Sequence, residues 1–514
     1  MKLAAALNEF KARFVDVRFA YLLIVFGILL RLRQLLVNRA FWLDEVLLAL
    51  NIVEKSYAGL LPPLDYNQVA PVGFVWIVKF LVIHLGQSEW VFRLLPFIAA
   101  VVAIILFYRI STHTLTRKGM LIATGLIVFS VHLVHYSYEF KQYSVDVFAS
   151  CIIFLMIIHA DRHQRDILSL VWVGVTGAII LWFSHPSVLV MAAMGLVWIL
   201  DDLLHKKWSH LIKLLVAFLP WLASFVVVYV ISLHTTTHNE WMNHGWRRAF
   251  VPLQAFSLGN LRWFLETFFN IFKNPLGSSL PGIGALAFVI GCFSLHKRNR
   301  LVYWYTITPM LITILVSGLQ KYPFHGRLLL FLTPFFLLLI AEGTAKVMAA
   351  TREYRFMGET ILLFLFLHPI LSAGSRMLNA HVYPQVRDAL HYIGEHRQKE
   401  DEIYVYYQAR HTVGYYGEKY GVDPEIVVNG IKSRDDWDQY RQDLAKLDGS
   451  ARVWLFFSHV CTWRGVNEER LFMHYLDQMG QPLDKKRFIG ASIYLYDLSA
   501  PPQVSLRPES TQDR

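Results

Sequence analysis

Charged residues are scarce in this chain, since Asp, Glu, Lys and Arg together make up only 17% of its 514 residues. Soluble globular proteins carry about 25% charged residues. Hydrophobic residues reach 55%, and they form repeated apolar runs of about 20 residues, the length that crosses a bilayer. The composition therefore excludes an ordinary soluble protein and predicts a polytopic membrane protein with room for one additional soluble domain.

Cysteine is rarer still, with Cys151, Cys292 and Cys461 as the only three. Their small number and wide spacing exclude a disulfide framework and a thiolate metal site. A glycine-rich phosphate loop is also missing after the predicted strands, which argues against nucleotide binding. The formal net charge of +11 comes from short basic clusters between apolar runs. This is the pattern of the positive-inside rule and does not indicate nucleic-acid binding.

The apolar runs predict eleven membrane-spanning helices, the first of them an uncleaved N-terminal span without a signal-peptide cleavage site. They centre on residues 19–37, 92–110, 120–136, 145–160, 168–184, 186–203, 211–232, 281–296, 301–319, 327–347 and 357–376. The segment 71–86 is apolar but short, and it contains Lys79 and His84. If this segment lies in the membrane interface, every basic cluster falls on the cytoplasmic side. We therefore expect the N-terminus inside and the C-terminus outside.

Composition changes near residue 378, where strands begin to alternate with amphipathic helices. This alternation predicts a small extracytoplasmic α/β domain over residues 378–500, following a membrane domain over residues 1–377. The membrane domain includes juxtamembrane helices in the loop 38–91. The polar tail 501–514 is predicted to be disordered.

Polar residues collect near the predicted outer ends of the spans. Asp44 and Glu45 lie inside the apolar stretch FWLDEVLLAL, and further acids and cations follow at Glu139, Lys141, Asp146, Lys321, His325 and Arg327. A charge at such a place is costly unless it is paired or solvated. Acids and cations together at a membrane surface suit transfer from a lipid-phosphate-linked sugar. The phosphate leaving group needs positive charge, and the acceptor hydroxyl needs a carboxylate base on the opposite face of the sugar.

Five segments in this order resemble the GT-C class of integral-membrane glycosyltransferases, specifically the bacterial relatives of protein O-mannosyltransferases and lipid A aminoarabinose transferases. The resemblance covers residues 18–345. It is carried by LDE (43–45), NQVAPVGFVWIVKFL (67–81), GQSEWVFRLLPFIAAVVAIILFYRI (86–110), EFKQYSVD (139–146) and YPFHGRLLLFLTPFFLLLIAEG (322–343).

The resemblance implies a role for each matching residue. Asp44 corresponds to the catalytic base, Glu45 to its companion and Glu139 to the second acidic position. Lys141 stands where relatives often carry an arginine facing the lipid phosphate; it keeps the charge but loses bidentate geometry. Apart from the resemblance, we predict that Lys321 and His325 join Arg327 at the donor phosphate, and that Tyr66, Gln68, Tyr143 and Asp146 belong to the substrate loop. Gln68-Val69-Ala70-Pro71 replaces the usual His-Pro-Pro, which argues against a protein-mannosylating enzyme in the narrow sense.

The implied function is inverting transfer of a sugar from a polyprenyl-phosphate donor to an acceptor glycan, lipid or protein. The expected location is the outer face of the bacterial cytoplasmic membrane. The expected partners are therefore these substrates and membrane lipids, not nucleic acid. No cofactor or metal site is required, although clustered acids could hold a divalent cation.

Simpler interpretations stay open at this stage. Asp44 and Glu45 could only cap a helix, Glu139 and Lys141 could form a local pair, and Lys321 and Arg327 could be cations that reach toward the headgroups. Alternative functions are a lipid-linked-glycan flippase or transporter, and an O-antigen-type polymerase or ligase. Transporters often show inverted repeats, and none is visible here. The sequence does not identify the sugar or the acceptor.

Overall fold

The computed structural model describes residues 2–234, 244–252, 257–351, 355–379 and 381–500, with backbone alone for residues 2–15 and 355–357. The predicted disordered tail 501–514 lies outside these residues. The chain divides into two compact units. The membrane unit comprises Met1–Asn38 and Asn51–Ala380, and the C-terminal unit comprises Arg39–Leu50 and His381–Arg514.

The described residues of the membrane unit form helices that are joined by turns and loops. Its α-helices are Lys2–Leu36, Val72–Leu85, Glu89–Phe92, Leu94–Thr114, Arg117–Phe129, Val131–Tyr136, Tyr143–Arg162, Ile167–Ile180, Ser187–Leu204, Trp208–Lys213, Leu215–Val228, Leu258–Lys273, Pro281–Arg298, Arg300–Gly318, Thr333–Ala350 and Arg355–Leu378. Shorter 3₁₀ segments are Ala58–Leu60, Arg247–Ala249 and Gly326–Leu332, and Tyr229–Leu233 is a π-helical turn.

Within the part of the chain that the structure describes, eight helices are long and apolar enough to cross a membrane, so the chain is a multi-pass membrane protein as predicted. They are Asp16–Leu36, Leu94–Thr114, Tyr143–Arg162, Ser187–Leu204, Trp208–Leu233, Arg300–Gly318, Gly326–Ala350 and Gly358–Leu378.

The other three predicted spans are also helical but are shorter or less apolar. Ser130 interrupts the helix over 117–136, the helix Ile167–Ile180 has only 14 residues, and Pro281–Arg298 ends in three basic residues. The number of crossings therefore stays a prediction, as does the interfacial position of the helix Val72–Leu85.

Close helix packing centres on the segment Gly326–Ala350, where nearly all residues up to Ala345 are buried. Two glycines permit this contact. A Cβ atom on Gly291 would lie 1.9 Å from the Leu339 carbonyl oxygen, and one on Gly343 would lie 1.8 Å from that of Ala287. Small residues allow helix backbones to approach in this way inside membranes. The helices Pro281–Arg298 and Thr333–Ala350 therefore form a rigid pair.

The interruption at Ser130 is stabilised by a buried arginine from the first helix. Arg31 is 1% exposed, and its guanidinium donates to the carbonyl oxygens of Ile127 (3.1 Å) and Val128 (3.2 Å). These carbonyls are left without helical partners where the helix ends. The new helix starts at Val131, with the Ser130 hydroxyl accepting from the Leu133 N–H. This break sets the position of the polar turn that follows.

The C-terminal unit contains the predicted α/β fold. Its strands are β1 (Glu402–Val405), β2 (Val428–Asn429), β3 (Val453–Ser458), β4 (Thr462–Trp463), β5 (Val466–Asn467), β6 (Gln481–Phe488) and β7 (Ala491–Asp497). Its α-helices are Val386–His396, Arg410–Tyr416, Asp438–Leu444 and Glu468–Met479. The main sheet has the order β2-β1-β3-β7-β6, with β1 parallel to β2 and β3 and with β7 antiparallel to β3 and β6.

The core of this unit follows from sequence periodicity. Every residue of β3 is buried, which fits a central strand covered on both faces. The helix Val386–His396 buries Val386, Ala389, Leu390 and Ile393, a spacing that lines one helical face. Strand β6 was not predicted, because it is an edge strand whose residues are mostly exposed and include the run DKKR.

Candidate active site

The segment containing Asp44 and Glu45 begins the helix Leu43–Glu54, and Glu45 fixes that beginning. Its carboxylate accepts from the Trp42 backbone N–H at 2.9 Å, three residues back, in the manner of a capping box. The same carboxylate oxygen accepts from the Arg39 guanidinium at 2.8 Å. The Glu45 side chain is 0% exposed and that of Arg39 is 3% exposed. Glu45 thus has a clear structural task, whereas the neighbouring Asp44 is only half-buried.

Aromatic residues of the C-terminal domain hold the segment that precedes this helix. The Phe41 backbone N–H donates to the Tyr416 hydroxyl at 3.0 Å, and the fully buried Phe41 ring packs edge-on against Tyr415. Trp42 contacts Tyr383 and His459, with ring centroids 5.5 Å and 4.6 Å away. Residues 39–50 are therefore packed as part of the C-terminal unit, although 330 residues lie between Leu50 and His381 in the chain.

His459 is the most unusual residue near Asp44. It follows β3, has a φ of +54°, which side-chain-bearing residues rarely adopt, and is 7% exposed. Neither ring nitrogen has a hydrogen-bond partner among the described residues. Burial lowers the pKa of His459 to about 4, and the negative charge of Asp44 opposes that shift. The imidazole is consequently neutral at physiological pH and lies within electrostatic reach of Asp44.

In the membrane unit, the turn between Tyr136 and Tyr143 forms a second cluster of polar groups. Glu139 is buried and pairs with the His135 ring at 2.7 Å. The other His135 nitrogen lies 3.4 Å from the Tyr138 hydroxyl, which also accepts from the Arg376 guanidinium at 2.5 Å. The Gln34 amide donates to the Arg376 carbonyl oxygen at 2.5 Å. Glu139 is therefore bonded into a network that crosses three helical segments.

Lys141 is the buried cation of this turn, with 6% exposure. Its ammonium donates to the Gln68 side-chain oxygen at 2.6 Å, and the adjacent Gln142 amide donates to the Val69 carbonyl at 3.3 Å. The preceding residues Tyr66 and Asn67 have φ values of +60° and +53°. This unusual backbone directs the loop so that Gln68 meets Lys141. The predicted substrate-loop residue and the predicted phosphate-binding cation are thus in direct contact.

Arg327 lies beside the same turn. Its guanidinium sits 5.7 Å from the centroid of the buried Tyr143 ring, a cation–π arrangement. Tyr322 donates to the Leu328 carbonyl at 2.7 Å. Burial raises the pKa of Tyr322 well above its usual value, with smaller contributions from the charges of Asp146 and Tyr143. Asp146 itself is buried, and its Oδ1 atom has no hydrogen-bond partner among the described residues.

The two remaining residues that were predicted to bind the phosphate are Lys321 and His325, and they are more exposed than Lys141 and Arg327. Lys321 and His325 are exposed, and His325 packs near Trp246 with ring centroids 6.3 Å apart. Among the described residues, neither side chain forms a hydrogen bond or an ion pair with Lys141 or Arg327. The described residues also contain no group of three His, Cys, Asp or Glu side chains that could hold a metal ion.

Three residues of the two polar clusters were not predicted from the sequence. They are His135, Arg376 and His459. Only His135 carried a local signal, since it is four residues before Glu139 on the same turn. Arg376 bonds a tyrosine 238 residues away, and His459 follows an apolar strand without a recognisable motif.

This chain is similar to known proteins both in sequence, over one segment, and in fold. Residues 69–232, which include Lys141 and Glu139, match the family model described as dolichyl-phosphate-mannose-protein mannosyltransferase. A comparison with curated proteins finds no significant match.

Among solved structures, ArnT from Cupriavidus metallidurans in the apo state has a TM-score of 0.52 at 12% identity, covering 96% of this chain and 98% of that one. ArnT bound to undecaprenyl phosphate has a TM-score of 0.50 at 13% identity, covering 94% and 97%. The oligosaccharyltransferase AglB from Archaeoglobus fulgidus, in complex with an inhibitory peptide and a dolichol-phosphate, has a TM-score of 0.47 at 11% identity, covering 93% and 74%. The likeness to ArnT confirms the predicted GT-C fold.

Proposed function

We propose that this protein is a glycosyltransferase that moves a sugar from a polyprenyl-phosphate-linked donor to an acceptor hydroxyl. The observation that carries the proposal is the buried Lys141, bonded to Gln68 beside Arg327 and Tyr143. A buried ammonium is costly unless it serves a bound anion or a fixed partner. Lys141 also lies in the segment that matches the mannosyltransferase family model. A lipid-linked phosphate in the membrane is the anion that this arrangement fits best.

In the proposed reaction, Lys141 and Arg327 bind the donor phosphate. The acceptor oxygen forms a bond to the anomeric carbon while the bond from that carbon to the phosphate oxygen breaks. The electron pair leaves on the polyprenyl phosphate, whose developing negative charge is stabilised by the two cations. Lipid phosphate is a good leaving group and needs no proton. The configuration at the anomeric carbon is inverted, because the acceptor attacks from the face opposite the phosphate.

Asp44 is the proposed general base, which takes the proton from the acceptor hydroxyl as the new bond forms. The two hydrogen bonds of Glu45 and the electrostatic interaction of Asp44 with His459 support Asp44 over its neighbour. The Glu45 carboxylate is occupied by Arg39 and by the Trp42 N–H, whereas Asp44 is half-buried and close to the neutral His459. We assign Glu45 to fixing the helix start and His459 to positioning the acceptor hydroxyl near Asp44.

The proposed location is the outer face of a bacterial cytoplasmic membrane, with the N-terminus in the cytoplasm and the C-terminal domain outside. The basic clusters of the sequence support this orientation through the positive-inside rule. The acceptor is a glycan, a lipid or a protein, and the chemistry places no demand on a metal ion because lysine and arginine neutralise the phosphate.

The test is release of free polyprenyl phosphate by the purified full-length protein supplied with a polyprenyl-phosphate monosaccharide and an acceptor extract. We expect acceptor-dependent release, and we expect Asp44→Asn to reduce it by about a thousandfold, the contribution of a general base. The matched control is Asp448→Asn, which removes an exposed carboxylate from the same unit and should leave release unchanged. Full turnover by folded Asp44→Asn would remove Asp44 as the base, and absence of release by the unmodified protein would refute the proposed function.

A further inference from the structure

A cavity lies near the end of the helix Tyr143–Arg162 that is farther from the polar turn. It has a volume of about 590 Å³ and is bounded by the helices Leu94–Thr114, Tyr143–Arg162 and Ile167–Ile180. Ligand sites in proteins commonly have volumes of about 300–1,000 Å³. We call this cavity the basic groove. None of its lining residues belongs to the cluster around Lys141.

The basic groove is lined by two arginines and three histidines, which are Arg109, His113, His159, Arg162 and His163. All five are exposed, and His113 lies within electrostatic reach of both guanidiniums. The one acidic lining residue, Asp166, caps the next helix by accepting from the Ser169 N–H at 2.8 Å. The groove therefore has a strong excess of positive charge.

Other arginines at these helix ends are neutralised by side chains of the protein. Arg165 pairs with Asp161, Asp201 and Asp202 at 2.8–3.0 Å. Arg298 pairs with Glu342 at 2.8 Å, and Arg117 pairs with Asp16. In contrast, neither Arg109 nor Arg162 forms an ion pair with a carboxylate anywhere in the described part of the chain. The two guanidiniums that line the groove are therefore available to a bound anion.

The remaining wall of the groove is apolar and includes exposed side chains. Leu168 is 66% exposed and Trp172 is 58% exposed, and both line the cavity with Leu155 and Met156. Tryptophan is enriched where lipid headgroups meet acyl chains. The groove thus presents positive charge at the helix ends and apolar surface along the helix sides, which matches a lipid with a charged headgroup better than it matches a soluble anion.

We propose that the basic groove binds an anionic phospholipid, with its phosphate held by Arg109 and Arg162 and its acyl chains against Leu168 and Trp172. Basic pockets between membrane-spanning helices recognise such headgroups. This site is separate from the proposed sugar-transfer chemistry and does not depend on it.

The experiment is a lipid titration of the purified full-length protein in detergent, followed by native mass spectrometry. The probes are phosphatidylglycerol, which is anionic, and phosphatidylcholine, which has no net charge. We expect phosphatidylglycerol to bind preferentially. The double variant Arg109→Gln/Arg162→Gln should weaken its binding roughly 30-fold, since each basic residue near an anionic lipid contributes about 1 kcal/mol.

The matched control is Lys297→Gln/Arg300→Gln, which removes two exposed positive charges from the ends of neighbouring helices outside the groove. It should change phosphatidylglycerol binding less than twofold. The proposal is overturned by an equal loss in this control, by equal binding of the two lipids, or by complete displacement of phosphatidylglycerol by millimolar inorganic phosphate, which would indicate a soluble-anion site. Thermal unfolding of both variants verifies that they are folded.

Discussion

The Asp44 and Lys141 clusters belong to different compact units, and they place charges of opposite sign. The first contains a half-buried carboxylate, and the second contains a buried ammonium. In the C-terminal unit, an acid-containing helix is fixed by Glu45 and Arg39, while Asp44 lies near a histidine that burial keeps neutral. In the membrane unit, a buried ammonium is held by the neutral oxygen of Gln68, while Arg327 stacks on an aromatic ring. The proposed reaction therefore assigns proton acceptance and anion binding to separate scaffolds, and substitutions in each should affect different kinetic steps.

Apart from loss of the proposed base itself, the largest expected effect is on the stability of the helix that contains Asp44 and Glu45. Glu45→Ala removes the partner of the buried Arg39 and the acceptor of the Trp42 N–H. Breaking a buried ion pair on one side costs about 3 kcal/mol, so we expect lower thermal stability and faster hydrogen exchange over residues 39–50. Glu54→Ala, at the exposed end of the same helix, should have little effect. Equal hydrogen-exchange rates over residues 39–50 in the two variants would show that Glu45 does not fix the start of the helix.

The next effect concerns the donor. Lys141→Gln keeps a hydrogen-bond donor for Gln68 but removes the charge. A charged hydrogen bond contributes about 2–3 kcal/mol, so affinity for a polyprenyl-phosphate sugar should fall roughly 100-fold. Lys346→Gln, at an exposed helical position, serves as the control and should bind normally. Unchanged donor affinity in folded Lys141→Gln would contradict the phosphate role, and isothermal titration in detergent provides the measurement.

The smallest effect is expected at His459. His459→Asn keeps a polar residue that tolerates the left-handed backbone but shortens the reach toward the acceptor. Loss of one neutral hydrogen bond of about 1 kcal/mol should raise the KM for the acceptor roughly fivefold, with donor affinity unchanged. His391→Asn, an exposed histidine of the same unit, is the control. A change in donor affinity instead of acceptor KM would refute the positioning role.

His459 also predicts a pH dependence of stability. Its pKa is about 4 in the folded protein, against an ordinary value of 6.5. Below pH 6.5 the unfolded chain binds a proton that the folded chain does not, so stability falls as pH decreases toward 4. The contribution is about 1.4 kcal/mol per pH unit. Chemical denaturation at several pH values should therefore show a shallower decline for His459→Asn than for the unmodified protein.

Local patterns in the sequence predicted much of the fold and part of the candidate site. Apolar runs identified the membrane helices, and alternating strands and helices identified the C-terminal domain. Asp44 and Glu45 were found because acids are costly in an apolar segment. Lys141 and Gln68 were both predicted, but their contact was not.

Long-range packing accounts for what the sequence did not reveal. The membership of residues 39–50 in the C-terminal unit, and the approach of His459 to Trp42, join segments hundreds of residues apart. The edge strand β6 lacked the apolar alternation that identifies a half-buried strand. The structural task of Glu45 also became visible only from its contacts with Arg39 and the Trp42 N–H.

The division of labour between the two units is tested most directly by measuring donor affinity and turnover for Asp44→Asn and Lys141→Gln in one polyprenyl-phosphate release assay. We predict that Asp44→Asn lowers kcat about a thousandfold with donor affinity retained, whereas Lys141→Gln primarily weakens donor affinity. A donor-binding defect in Asp44→Asn, or normal donor binding together with normal turnover in Lys141→Gln, would contradict the assignment of the base to one unit and the phosphate site to the other.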